Sequence, residues 1–268
     1  MIDIKKLDRQ LLRVEKPARY VGSELNSVVK NKKDIKIRFA FAFPDVYEVG
    51  MSHTGMHILY GLLNCIDNIW CERVFAPWTD MEQVMRENNI HLYGLESKDE
   101  LKEFDIIGFT LQYEMSYTNI LNMLNLADIP IKAKDRGNDM PLVIAGGPCA
   151  YNPEPLCDII DLFTVGETEE LLPTLMKLYE EEKDKGWNKD SFLERASQLD
   201  GIYVPKFYDV IYNENKTIKE RKVLNTNAKE TIKKTVIKNL NKSYYPEKSI
   251  LPYIDVVHDR VVLEVFRG

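Results

Sequence analysis

Cysteine is scarce. The four residues Cys65, Cys71, Cys149 and Cys157 in a chain of 268 form no CxxC pair, which excludes a disulfide-stapled scaffold and a thiolate metal loop. They read as reduced thiols. Long apolar runs are absent too: none reaches the roughly 18 residues that a membrane helix needs. The start of the chain carries Lys5, Lys6, Asp8 and Arg9 where a signal peptide would have its apolar block. A cytoplasmic protein with no membrane partner is expected. Positive charge is in deficit, with 36 Lys and Arg against 42 Asp and Glu and a net charge of −6, which argues against a general binder of nucleic acid or anionic lipid. No G-x-S-x-G, P-loop or G-x-G-x-x-G occurs, so hydrolase, phosphate-loop and ordinary dinucleotide chemistry all lose ground.

What is present is ordinary globular material, 44% hydrophobic and 29% charged, enough for a sizeable core. The run Ile35 to Phe43 (IKIRFAFAF) is β-branched and aromatic and breaks at Pro44-Asp45 before a helical stretch from Thr54 to Leu63. The alternation recurs: Ile69 to Phe75 extended and Asp80 to Asn88 helical, then Asp105 to Leu111 extended and Tyr117 to Ala127 helical. Leu142 to Ala145 is extended with a short helical stretch near Pro155, and Leu162 to Val165 precedes a helix from Glu167 to Lys185. Strands and helices in this order imply right-handed crossovers and a parallel sheet covered on both faces. The expected fold is a doubly wound, Rossmann-like α/β domain with a five-stranded parallel sheet over residues 35–200. An N-terminal arm with a helix from Ile4 to Val14 occupies residues 1–34. A β-hairpin around Asn213-Glu214-Asn215 and a linker fill residues 201–242. From Lys216 to Lys242 nine basic residues stand against Glu220 and Glu230, a local charge of +7. A solvated linker accounts for such a run; a phosphate-contacting strip is the sharper alternative, and nucleic acid could enter only there.

Ligands of open parallel sheets bind beyond the carboxyl ends of the strands, where the strand order switches. The loops after the strands hold Gly50, Ser52, His53 and Gly55, then Thr110 and Gln112, then Gly146, Gly147 and Pro148, and last Gly166 and Glu167. Glycine there lets backbone approach a flat or anionic ligand, although any strand-to-helix turn also uses it for positive φ. His53 and His57 share a helix face at a spacing compatible with two metal ligands, but no third ligand is placed by sequence. Glu169 and Glu170 suit a helix N-terminus, while Glu167, nearest the strand end, could face a ligand.

Five segments, Lys16 to Lys30, Phe41 to Asn64, Glu72 to Glu82, Phe104 to Pro130 and Leu142 to Leu156, resemble the N-terminal half of a bacterial family of B12-binding-domain radical SAM proteins. Gly146-Gly147-Pro148 followed by Gly166-Glu167-Thr168-Glu169 is a combination shared more widely among cobalamin-type radical SAM enzymes. In that family a strand like Asp259 to Gly268 (DRVVLEVFRG) feeds into CxxxCxxC, which holds a [4Fe–4S] cluster and, through it, S-adenosylmethionine. The resemblance therefore implies an accessory domain with residues 243–268 beginning a radical SAM core. Cluster, S-adenosylmethionine and catalysis would belong to a barrel absent from this chain, which is expected to be inactive alone. That barrel is the expected partner, acting on an unassigned substrate. Cobalamin is the implied cofactor. The family's D-x-H-x-x-G reads Met51-Ser52-His53-Thr54-Gly55 here, without the carboxylate that would orient the imidazole, so cobalt ligation by His53 is not expected. Thr168 replaces a glycine and narrows the pocket on its side. A cofactor-free module recognising RNA or protein is the alternative.

Overall fold

The computed structural model describes residues 2–258, 260, 262 and 264–266. Its central sheet has the order β2-β1-β3-β4-β5-β6, built from β1 (Ile37–Phe43), β2 (Ile69–Phe75), β3 (Ile106–Thr110), β4 (Leu142–Gly146), β5 (Leu162–Thr164) and β6 (Ile202–Tyr203). The first five strands are parallel, as their continuous apolar runs require of strands covered on both faces. The sixth was not expected: β6 pairs antiparallel with β5 through Phe163–Tyr203 and Thr164–Ile202. Two residues carry no periodicity, which is why it was not legible.

The helices are α1 (Ile4–Leu11), α2 (Tyr47–Gly50), α3 (Thr54–Asn64), α4 (Thr79–Asn88), α5 (Tyr117–Leu126), α6 (Leu171–Asp184) and α7 (Lys189–Ala196). From β1 the chain steps outward to β2 through α3, whereas β3 steps the other way to β4 through α5. Right-handed crossovers in opposite directions put α3 and α5 on opposite faces. The order reverses between β1 and β3, and Tyr113 ties the two loops there by donating its hydroxyl to Asp45 Oδ2 at 2.9 Å. Helix α6 begins four residues later than expected, because Glu167 is bound elsewhere. Among the described residues no helix is long and apolar enough to cross a membrane.

Strand β2 ends the sheet, yet all seven of its residues are buried. Leu95 N donates to Arg73 O at 2.9 Å and Arg73 N to Glu96 Oε2 at 2.8 Å, so the loop after α4 covers the edge. The expected hairpin forms from β7 (Tyr208–Tyr212) and β8 (Ile218–Val223). After it, residues 233–242 do not run free as a linker. Thr235 lies parallel to Gly166 beyond the end of β5, with Thr235 N donating to Val165 O and Glu167 N to Thr235 O, each at 3.0 Å.

The last segment, expected to begin a radical SAM core, is held against the domain as far as His258. Ile250 is buried, Leu251 bridges Leu25, and the Tyr253 hydroxyl donates to Ser23 O. The N-terminal arm supplies the backbone partners. Of the terminal strand expected from Asp259 to Gly268, Asp259, Val261, Leu263, Arg267 and Gly268 lie outside the described residues.

Candidate functional site

A cavity of about 400 Å³ lies against one face of the sheet at its carboxyl end, a size within the range of small-molecule sites. Its floor is Phe39, Phe41 and Ile144 and its walls are Ile58 and Leu59 of α3 and Leu172 of α6. Nine of the eleven residues nominated from the sequence line it: His53, Gly55, Thr110, Gln112, Gly146, Gly147, Pro148, Gly166 and Glu167. Gly50 and Ser52 do not. A Cβ on Gly50 would stand 2.3 Å from the Phe75 ring, so that glycine serves packing. Ser52 Oγ donates to Glu48 O at 2.7 Å and accepts from His258 N at 3.0 Å.

The apolar walls were missed, since residues in strand and helix interiors read as core by pattern alone. Thr164, Thr168, Glu169 and Glu264 also reach the cavity. Nothing in the sequence pointed Glu264 to this cavity, since it is remote in the chain from the other lining residues.

Gly147 has φ of +106°, and a Cβ there would meet Leu111 O at 2.9 Å. Glycine is thus required at this position by the backbone, whatever the cavity holds. A bulky residue at Gly147 would therefore strain the fold as well as block a ligand, and a cavity test is better placed on α3.

His53 caps α3. Its Nδ1 accepts from Met56 N at 3.2 Å and its ring lies 5.4 Å from that of Phe43. Burial lowers its pKa, and a side-chain bond with Gln112 only partly opposes this. In the neutral ring the capping nitrogen is the acceptor, so the proton sits on Nε2, which then has no lone pair to offer a metal. Gln112 Nε2 in turn donates to Thr110 Oγ1. His57 turns away to Met51 O, 2.8 Å from Nε2, and Met51 Sδ is 3.2 Å from Arg73 Nη1. The two histidines therefore do not converge, and among the described residues no group of three or more His, Cys, Asp or Glu could hold a metal ion.

Glu48, also near this loop, is bound by Arg19 and Lys16. Burial opposes its charged form, but those bonds outweigh it and hold the carboxyl below its usual range.

The two half-buried histidines carry a pH signature. His53 and His57 both have pKa values lowered by burial from the ordinary 6.5, so below that pH the unfolded chain binds protons that the folded chain does not. Stability should fall as pH drops from 7.5 to 5.5, before the carboxylates begin to titrate. His53→Asn, which keeps a capping acceptor but cannot titrate, should flatten part of that fall in urea midpoints. An equal slope in this variant would contradict the assignment.

A family model described as radical SAM proteins, N-terminal, matches residues 55–205. An uncharacterised protein of Methanocaldococcus jannaschii is 30% identical over 131 residues, which make up 48% of this chain and 24% of that protein. The match thus spans about a quarter of the relative's length. No solved structure matches.

Proposed function

The chain belongs to the family of radical SAM N-terminal regions, and from that premise we propose that it is an accessory domain holding a corrinoid, cobalamin, beside a radical SAM core. S-adenosylmethionine and the iron–sulfur cluster would belong to that core. The observation that carries this reading is the cavity: apolar walls beneath a lip of backbone at Gly55, Gly146 and Gly147, opening beside the reversal in strand order. A cavity of about 400 Å³ takes only part of so large a cofactor, so the ring would rest one apolar face on this lip with the remainder outside it. Thr110 and Gln112 would offer hydrogen bonds to the amide rim of such a ring. His53 would lie nearby as a neutral donor and cap, leaving cobalt without a protein ligand. When bound, the cofactor supplies group- or electron-transfer chemistry at its metal; the protein's part is to bind, orient and shield it.

Leu59 is half-buried on α3 and lines the cavity, so Leu59→Trp should fill the space at little cost to folding. Incubated with hydroxocobalamin and desalted, the unaltered chain should retain the visible spectrum of one corrinoid, and Leu59→Trp should lose at least about nine-tenths of it. No retention by the unaltered chain, or equal retention by both, would refute the proposal.

A further inference from the structure

The segment KKTVIKNLNK, residues 233–242, holds four lysines and no acidic residue. Lys233, Lys234 and Lys238 are exposed, as is Lys242, and none forms an ion pair with a described residue. Their backbone is fixed. Thr235 Oγ1 donates to Glu167 O at 2.6 Å, Ile237 N donates to the Glu167 carboxylate, and further along Tyr244 packs on Gly61 of α3. The strap therefore runs from the end of β5 toward α3 as a held row of positive charge, and the lysines lose little backbone freedom when they meet an anion.

A groove of about 960 Å³ opens beside it, between the hairpin and the loop after β4, and Tyr151, Arg221, Lys222 and Lys234 line it. Tyr151 is 58% exposed, an aromatic face open to solvent in the groove that Lys234 also lines. The groove's acids are Glu154, Asp209, Glu220 and Glu230. Glu154 accepts from the Tyr203 hydroxyl at 3.1 Å and Asp209 lies opposite Lys222 in the hairpin register.

We propose that the strap and groove form a docking surface for a single-stranded polynucleotide, its phosphates on Lys233, Lys234, Lys238 and Lys242 and a base on Tyr151. The chain is acidic as a whole, so a polyanion is steered to this face and repelled from the rest. Tyr151 and Lys234 line one groove, and an exposed aromatic ring at the end of a lysine row suits a base stacked beside its phosphate; an acidic peptide would make no use of Tyr151 and would be repelled by the carboxylates of the groove. The surface is independent of what the cavity holds.

The test is fluorescence anisotropy of a short labelled oligouridylate with the full chain, beside a labelled oligoglutamate peptide of equal charge. Binding of the oligouridylate should fall with salt with a log–log slope of about −3, from roughly 0.7 per phosphate at four contacts. Replacing the four lysines by Gln should weaken binding at least about ten-fold and remove most of that slope, with the urea midpoint unchanged. Tyr151→Ala should weaken it about five-fold or more while leaving the slope as it was, which a purely electrostatic contact would not do. No binding, equal binding of the peptide, or full binding by the lysine variant would overturn the proposal. Hydroxocobalamin retention by the same variants reports on the cavity separately, so failure of one idea is distinguishable from failure of the other.

Discussion

Arg73→Ala is expected to destabilise the protein by roughly 3–5 kcal/mol, the usual cost of breaking a buried ion pair by removing one partner. The Arg73 side chain is fully buried between two buried carboxylates: Nη2 donates to Glu24 Oε2 at 2.6 Å and Nε to Glu96 Oε1 at 2.7 Å. Glu24 also accepts from the Tyr47 hydroxyl at 2.8 Å. Burial works against a charged Glu24, yet the bonds from Arg73 hold its pKa below the ordinary value. Without the guanidinium, the Glu24 and Glu96 side chains would be buried with no Arg73 between them, and the pKa of Glu24, no longer held down, would rise above that of the unfolded chain. Linkage then fixes the sign: the variant's deficit should be smallest at pH below about 4.3, the ordinary carboxyl value, and grow as pH rises. Urea midpoints at pH 4 and pH 7.5 check both size and direction. A deficit that shrinks toward pH 7.5 would mean that the network is not charged as described. The same residue touches Met51, so it also joins the N-terminal arm to the loop that ends in His53.

Gly166→Val should release the strap. Gly166 has φ of +102°, and a Cβ would stand 2.3 Å from Thr235 O and 2.6 Å from Thr235 N. Both clashes are with backbone, so a side chain cannot move aside to relieve them. The unfavourable φ alone costs about 1–3 kcal/mol, and detaching Thr235 is the path that relieves the contacts. Amide exchange should show protection lost at Glu167, Thr235 and Ile237 while Ile106 to Thr110 of β3 keep theirs. Protection preserved at Thr235 would show that the strap tolerates the side chain and is not fixed by this contact.

How far the molecule could be read from its sequence depends on whether a feature is local. β2 covers the stretch read as extended, Ile69 to Phe75, and α3 and α5 end within a residue of their apolar periodicity. The loops nominated by their place after each strand converge because strand order, not side-chain chemistry, brings them together. What escaped was non-local. The buried Glu24, Arg73 and Glu96 come from three separate segments, and Glu72-Arg73 inside an apolar strand gave no hint of its partners. The basic run read most simply as hydrated, yet Thr235 and Ile237 within it bind the backbone and the Glu167 carboxylate just beyond the end of β5. The late start of α6 follows from the same contact, since the Glu167 carboxylate accepts from Ile237 N instead of turning into the helix.

The most direct measurement of the proposed site is electron paramagnetic resonance of the Co(II) corrinoid bound to the unaltered chain and to His53→Ala. With Nδ1 of His53 accepting from Met56 N, the imidazole has no free lone pair. The two proteins should therefore give the same cobalt spectrum, free of protein-nitrogen superhyperfine splitting, with affinities differing by about 1 kcal/mol or less, a few-fold in Kd. A nitrogen pattern present in the unaltered chain and lost in His53→Ala would make His53 an axial ligand, and would contradict both its capping role and a cavity that holds the corrinoid without ligating its metal.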